Sequence, residues 1–245
     1  MVIILEKTTW SNVKIDEFPS LQEDIKTDIL VIGGGICGIL IAYRLKKEGK
    51  NVLVVEKNRI ASQRTLRTTA TITALQDIMY KDLVKEARKL YFDSCKYAIK
   101  EYQKLSKTID FDFEMVSSYK YFRKIDDFHD EYIALKEIGF EPNIHDYQEY
   151  HIMEFENQAQ MNPLLLIKNL VKKLNIFENT EIIKIDENKA YTKKNCIEFN
   201  NVVVATGYPF MGIKGCFFSK MYQNKSYVIE IKNNQNNSFN AVGSD

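Results

Sequence analysis

The chain has 245 residues, a formal net charge of +1, 45% hydrophobic and 27% charged residues. That length can bury a substantial core, as one large domain or two small ones, and the near balance of charge excludes a nucleic-acid footprint or a basic membrane patch. Apolar runs fall far short of a membrane span, and Met1 to Leu5 is too short for a signal peptide.

Residues 1–26 hold Trp10, Phe18, Pro19 and Leu21 among polar residues and read as an extended N-terminal arm docked on the body. From Thr27 the pattern changes. Ile29 to Ile32 is an unbroken apolar run, as in a strand buried on both faces of a parallel sheet. Ile36, Ile39, Leu40 and Tyr43 recur at helical spacing, with Lys46, Lys47 and Gly49 as the helix end. Val52 to Val55 is a second buried strand, finishing on Glu56.

Gly33, Gly35 and Gly38 fall in the turn between the first strand and the helix, which gives G-x-G-x-x-G in a βαβ setting. Gly33 permits the tight turn, Gly35 lets backbone approach a pyrophosphate, and Gly38 lets the helix pack closely on the strand. The start of the helix then presents N–H groups and a positive dipole end to phosphates. Glu56, about 20 residues on, can accept hydrogen bonds from ribose hydroxyls, which favours NAD or FAD over NADP. Glycines serving only a tight turn would explain the spacing alone. They would not explain strand, helix, strand and acid together.

The passage KNRIASQRTLRTTATITAL follows. Lys57, Arg59, Arg64 and Arg67 stand at the carboxyl edge of the sheet, where ligands bind, either as cofactor contacts or as solvated charges. Thr68, Thr69 and Thr71 offer hydroxyls as helix caps or as contacts to a cofactor ring. Leu83, Val84, Ala87, Leu90, Tyr91, Ala98, Ile99, Tyr102 and Leu105 keep one face of a long helix apolar to near Lys107. FDFEMV from Phe111 and YKYF from Tyr119 read as two strands of a different sheet. A short helix from Asp126 or Asp127, with Tyr132, Leu135 and Ile138, ends at Gly139. The aromatics of this region suit a sheet core or a substrate pocket.

Asn162-Pro163 is the cap and first-turn proline of another amphipathic helix, with Leu164, Leu165, Leu166, Leu170, Val171 and Leu174. TEIIKI, ENKAYTKKN and CIEF give strand, turn and strand. VVVATGY (Val202 to Tyr208) is a further buried strand ending in Ala205-Thr206-Gly207, small residues that admit a ligand close to backbone. Cys37, Cys95, Cys196 and Cys216 form no C-x-x-C pair and read as reduced thiols of a cytoplasmic protein. Packing is the expected use of Cys37. His129, His145 and His151 lack metal-ligand spacing, so no metal site is expected.

GGGICG, Glu56, TTATIT, NQAQMNP and VVVATGYPF, in that order, resemble the FAD-dependent oxidoreductases of the D-amino-acid oxidase (DAO) superfamily, most of all its bacterial glycine, sarcosine and γ-glutamylputrescine oxidases. The likeness runs from near Trp10 to near Ile231. It implies an α/β fold: a Rossmann-like FAD-binding domain in three ββα layers, with an inserted, mostly antiparallel substrate-binding sheet that is incomplete at the C-terminus. Residues 27–108 and 161–210 would form a discontinuous FAD-binding domain behind the arm of residues 1–26. Residues 109–160 and 211–245, including SYVIEIK from Ser226, would form a partial substrate-binding domain. By the same resemblance Gly33, Gly35, Ile36 and Gly38 cradle the FAD pyrophosphate and Glu56 holds the adenosine ribose. Thr68, Thr69 and Ala70 run beside the isoalloxazine; Lys57 and Arg64 are taken as cofactor contacts from their place at the sheet's carboxyl edge alone. Ile182 meets the adenine through its backbone, and Ala205, Thr206 and Gly207 close over the cofactor.

Two departures stand out. Relatives usually carry glycine after the ribose acid, where this chain has Ala61-Ser62-Gln63. Full-length relatives also continue with further strands and a return to the FAD domain, so the chain resembles the N-terminal portion of such an enzyme. The implied reaction removes a hydride from the carbon next to an amine nitrogen of a small amine or amino acid, giving an imine that hydrolyses. No base, nucleophile or metal constellation marks catalytic residues; Tyr119, Tyr121 and Arg123 are candidates for binding a substrate carboxylate. Two rival readings are an NAD-dependent dehydrogenase, disfavoured by the strand–turn–strand before VVVATG, and a non-catalytic FAD-binding remnant.

Overall fold

The computed structural model describes residues 8–75, 79–210, 215–223 and 239–243. In chain order its elements are β1 (Ile25–Ile32), α1 (Ile36–Lys47), β2 (Val52–Val55), β3 (Thr71–Ile72), α2 (Lys85–Ser106), β4 (Glu114–Phe122), α3 (Ile125–Lys136) and β5 (Asn143–Tyr147). There follow β6 (Tyr150–Gln160), α4 (Pro163–Leu170), β7 (Asn175–Phe177), β8 (Lys184–Asp186), β9 (Lys189–Tyr191), β10 (Cys196–Val204) and β11 (Phe239–Gly243). The chain divides into two compact units, Met1–Thr68 with Pro163–Ile231, and Thr69–Asn162 with Lys232–Asp245. Helix α2 thus falls in the second unit, whereas the sequence groups it with residues 27–108.

The first unit is built on a six-stranded sheet in the order β7-β2-β1-β10-β9-β8. Strands β7, β2, β1 and β10 run parallel, and β10, β9 and β8 are antiparallel neighbours. Side chains alternate across a strand. Leu30, Ile32, Leu53 and Val55 therefore share one face, where they cluster with Leu21 of the arm, Ile182, and Ala190 of the β8–β9 hairpin. Val31, Val52 and Val54 point the other way and are equally buried. There α1 lies against β1 and β2 with α4 beside it, burying Ile39 and Ala42. The sheet, parallel at its centre and antiparallel along its β9–β8 edge, with helices against it, gives the α/β fold.

Two strands of this unit differ from expectation. CIEF and VVV are one continuous strand, β10, and Val204 at its end is 39% exposed instead of buried. Of TEIIKI only Lys184 and Ile185 belong to a strand. The expected strand SYVIEIK lies outside the described residues.

The second unit holds a five-stranded sheet. Strand β4 pairs with β11 in parallel and β6 antiparallel, and β3 and β5 pair with different stretches of β6. FDFEMV and YKYF are not two strands: the ladder to β6 carries β4 through both, with a register shift between Val116 and Ser118. Phe122 of β4 and Met153 and Phe155 of β6 form a core with Tyr80, Phe92, Phe128, Ala134 and Leu135 of the helical side. Within the same layer Lys120 Nζ lies 3.1 Å from Glu131 Oε1, their side chains 2% and 0% exposed. Glu131 Oε2 accepts the Lys81 N–H, which satisfies the second oxygen. The inward stripe of α2 is Phe92 and Ile99 with Cys95 packed on the core. Val84 and Leu90, expected on the apolar face, are 70% and 71% exposed.

Candidate functional site

The turn from β1 into α1 is shaped by absent side chains. Gly33 has φ +117°, and a Cβ there would sit 2.5 Å from the Ala205 carbonyl oxygen; only glycine takes this conformation without strain. A Cβ on Gly38 would overlap the Gly33 carbonyl oxygen, so its glycine seats the helix on the strand. Gly35 differs. Its backbone is extended (φ −77°, ψ 178°), and a Cβ would meet nothing nearer than Thr65 Oγ1 at 3.5 Å. The chain itself does not require glycine at 35. Space beside it is what the approach of a pyrophosphate requires.

The helix start carries no side-chain cap from Gly35, and the first N–H groups of any α-helix have no intrahelical partner. Thr65 Oγ1 accepts the Ile36 N–H at 3.1 Å, and a hydroxyl in that position still has its own proton to donate. Glu56 turns back toward the glycines: Oε2 accepts the Gly34 N–H at 2.7 Å and Oε1 accepts the Asn58 N–H at 2.9 Å. Each carboxylate oxygen keeps a second lone pair for a ribose hydroxyl. Ala205 donates its N–H to the Ile32 carbonyl at 2.8 Å, which brings the end of β10 beside the glycine turn. Gly207 has φ +74°, and Arg64 lies over it, so that a Cβ there would come within 2.8 Å of Nη1.

Gly33, Gly35, Ile36, Gly38, Glu56, Arg64, Ala205, Thr206 and Gly207 therefore gather at one mouth of the first sheet. Lys57 is exposed beside Glu56. Ile182 is buried in the core cluster under the hairpin, next to the irregular residues that follow β7. Thr68 ends the first unit, its carbonyl accepting the Trp10 indole N–H at 2.9 Å. Thr69 is exposed and Ala70 buried, both in the second unit. Ala61 and Ala70 adopt φ of 58° and 61°. At Ala61, within the passage where relatives usually have glycine, the backbone thus takes the left-handed form that glycine favours.

Thr65 is a residue that sequence reasoning passed over. It lies nine places after Glu56, in a run read for its charges and for the hydroxyls of Thr68, Thr69 and Thr71 but not for its own. Glu178 and Thr180, which brace the loop after β2, were missed too, and no local spacing signals them.

On the side of the second sheet away from Lys120 and Phe122, Tyr119 donates its hydroxyl to Glu154 Oε1 at 3.0 Å, and His145 Nε2 lies 2.7 Å from Glu154 Oε2. The Ser117 side chain first, then His145 and Tyr119, hold Glu154 below the usual carboxylate range. Burial, then Glu154, pushes the Tyr119 phenol up. Arg123 stacks over the Tyr150 ring at 5.6 Å and donates Nη2 to its hydroxyl at 3.3 Å. Among the described residues no His/Cys/Asp/Glu group has metal-binding geometry, and no helix is long and apolar enough to cross a membrane.

Residues 28–243 match the family model DAO, FAD dependent oxidoreductase. The chain is 28% identical, over 92% of its length and 49% of the relative's, to a protein of Bacillus subtilis (strain 168) with the provisional name Rieske 2Fe-2S iron-sulfur protein YhfW. Among solved structures it resembles L-proline dehydrogenase from P. horikoshii (TM-score 0.63, 21% identity, 77% of this chain and 54% of that one). It also resembles L-amino acid deaminase from Proteus vulgaris (0.60, 19%, 79% and 50%). A third likeness is to glycine oxidase from Geobacillus kaustophilus (0.60, 17%, 74% and 55%). At these identities the structural likeness is one of fold. The chain spans about half the length of the relatives it matches.

Proposed function

The chain belongs to the DAO family of FAD-dependent oxidoreductases, and from that premise we propose that it serves the oxidation of a C–N bond in a small amine or amino acid. The observation that carries the cofactor half of this reading is Gly35, a glycine its own chain does not need, beside the inward-turned Glu56. Bound FAD supplies the hydride acceptor. The residues present fit it: the N–H groups at the start of α1, with Thr65, suit a pyrophosphate, and Glu56 suits the adenosine ribose. Arg64 supplies a positive charge at the same mouth, Lys57 is placed to add a second, and Ala205-Thr206-Gly207 offers backbone free of bulk. Thr68, Thr69 and Ala70 are proposed for the flavin ring, and Ile182 for the adenine.

The substrate half rests on the second sheet. Tyr119, Tyr121 and Arg123 are proposed to receive the substrate carboxylate, and the amino-acid enzymes among the fold neighbours support that class of substrate. The antiparallel strands β9 and β8, which extend the sheet beside β10, disfavour an NAD-dependent dehydrogenase, whose simple Rossmann sheet needs no such extension. The relative's iron–sulfur name favours a second reading for the electrons, in which an iron–sulfur protein and not oxygen is the acceptor.

Purified protein is expected to be yellow, or to become so on adding FAD, and to bleach anaerobically with an amine or amino acid. A protein that binds NAD but no FAD ends the reading. One that stays coloured with every amine tried is the non-catalytic remnant. Arg123→Ala is expected to weaken bleaching by a carboxylated amine without loss of flavin; unchanged bleaching removes Arg123 from the site. Peroxide formed on reoxidation identifies oxygen as the acceptor, and its absence with a competent iron–sulfur protein identifies the other.

A further inference from the structure

One buried carboxylate outside the glycine turn ties three stretches of the first unit together. Glu178, on the turn after β7, is 1% exposed. Its Oε1 accepts the Ile60 N–H at 2.6 Å, and its Oε2 accepts the Phe18 N–H at 3.1 Å and lies 2.9 Å from Arg59 Nε. Arg59 also pairs with Glu17 and donates to the Ile15 carbonyl. Backbone bonds follow the same seam. Glu178 N–H donates to Pro19, Asn179 N–H donates to Asn58, and Leu21 N–H donates to Thr180 Oγ1. A carboxylate taken out of water is tolerated only when donors surround it in this way.

The seam ends on the ribose acid. Glu56 N–H donates to the Phe177 carbonyl and Thr180 N–H donates to the Glu56 carbonyl, both at 2.9 Å. Residues on either side of Glu178 thus grip both backbone groups of Glu56. Ile60, whose N–H Glu178 holds, fills the space where a side chain on Gly34 would go. The arm matters for the same reason: Phe18, Pro19 and Leu21 bond to the turn after β7, and Glu17 and Ile15 hold Arg59 of the loop after β2.

From this geometry we infer that Glu178 is a positioning residue for the adenosine end of FAD. Braced by Arg59 and the arm, it fixes the backbone from which the Glu56 carboxylate reaches the glycine turn. The inference rests on the FAD reading above and goes beyond it. A staple that merely stabilised the fold would show no preference for one half of the cofactor; a residue acting through Glu56 must.

The test compares wild type, Glu56→Gln, Glu178→Gln and the double variant as full chains. FAD and FMN, which lacks the adenosine half, are titrated by flavin fluorescence, with thermal unfolding of each apo protein in parallel. Glu178→Gln is expected to weaken FAD roughly tenfold and FMN little. The double variant is expected to bind FAD no worse than Glu56→Gln, because residues acting as one unit are not additive. Additive penalties, or equal losses for FAD and FMN, overturn the inference. Where Glu178→Gln fails to fold, Thr180→Val carries the same comparison. It keeps Glu178 and removes only the hydroxyl that receives Leu21 N–H and donates to the Glu178 carbonyl, and unmoved FAD affinity there also overturns it. A wild type that binds no FAD fails the parent reading. A wild type that binds FAD and matches Glu178→Gln fails this inference alone.

Discussion

The mouth of the first sheet and the core of the second meet a polar demand by opposite means. Around β1 and α1 the polar atoms are mostly backbone, and the turn works because Gly33, Gly35 and Gly38 leave room. Beneath β4 the polar atoms are side chains: Lys120 and Glu131 face each other in a layer that also holds Phe122, Phe128 and Leu135. The first region fails when an atom is added. The second fails when a charge is removed. A site that must admit a large anionic ligand is built the first way, whereas a core that must hold a sheet and two helices in one arrangement tolerates the second.

Substitutions can break this contrast. Gly38→Ala is expected to do the most harm, because its Cβ meets the Gly33 carbonyl oxygen, backbone that has nowhere to go. The loss belongs with those above about 4 kcal/mol, read by urea unfolding; a mild loss would mean α1 can lift off β1. Glu131→Ala is expected to cost about 3–5 kcal/mol by taking the carboxylate away from the buried Lys120 charge, while Lys120→Met with Glu131→Leu is expected to cost less, about 1–3 kcal/mol, because only the Lys81 N–H then loses its acceptor. Equal losses in the two would remove charge as the cause. Gly35→Ala sharpens the comparison from the other side. The fold is expected to lose no more than about 1 kcal/mol at this cap, while FAD binding falls at least about tenfold. Retained affinity would show that no phosphate approaches Gly35.

The smallest effect belongs to Glu154. The Ser117 side chain, then His145 and Tyr119, lower its pKa. Its contribution is therefore present above the ordinary carboxylate value and lost as pH falls through the lower native one. Glu154→Gln is expected to cost less than about 1 kcal/mol near neutral pH, and the difference from wild type should vanish in acid. A difference that persists at low pH would assign the effect to packing instead.

The βαβ unit was legible because its signals are local. Ile29 to Ile32, the helical spacing from Ile36 and Val52 to Val55 all fall where the periods place them. Elsewhere tertiary pairing overrode composition. CIEF and VVVATGY read as separate strands, yet Asn201 between them pairs with Ile29 and the strand runs on. Helix α2 offers two competing stripes, and the core of the second unit selects Phe92, Cys95 and Ile99 over Leu90. Thr65 and Glu178 act across separations of 29 and 118 residues, beyond the reach of any motif spacing.

The pairing of β1 with β10, Ile25 opposite Ile197, has a consequence for biogenesis. A chain leaving the ribosome exposes β1, α1 and β2 long before the neighbour that completes their sheet is made. Loop closure over that distance comes late, so the parallel sheet is expected to be completed after β4, α3 and β6 assemble from nearby sequence. Pulse-labelled hydrogen exchange during refolding is expected to protect the amides of Phe122 and Phe155 before that of Val203; the reverse order would place the nucleus in the parallel sheet.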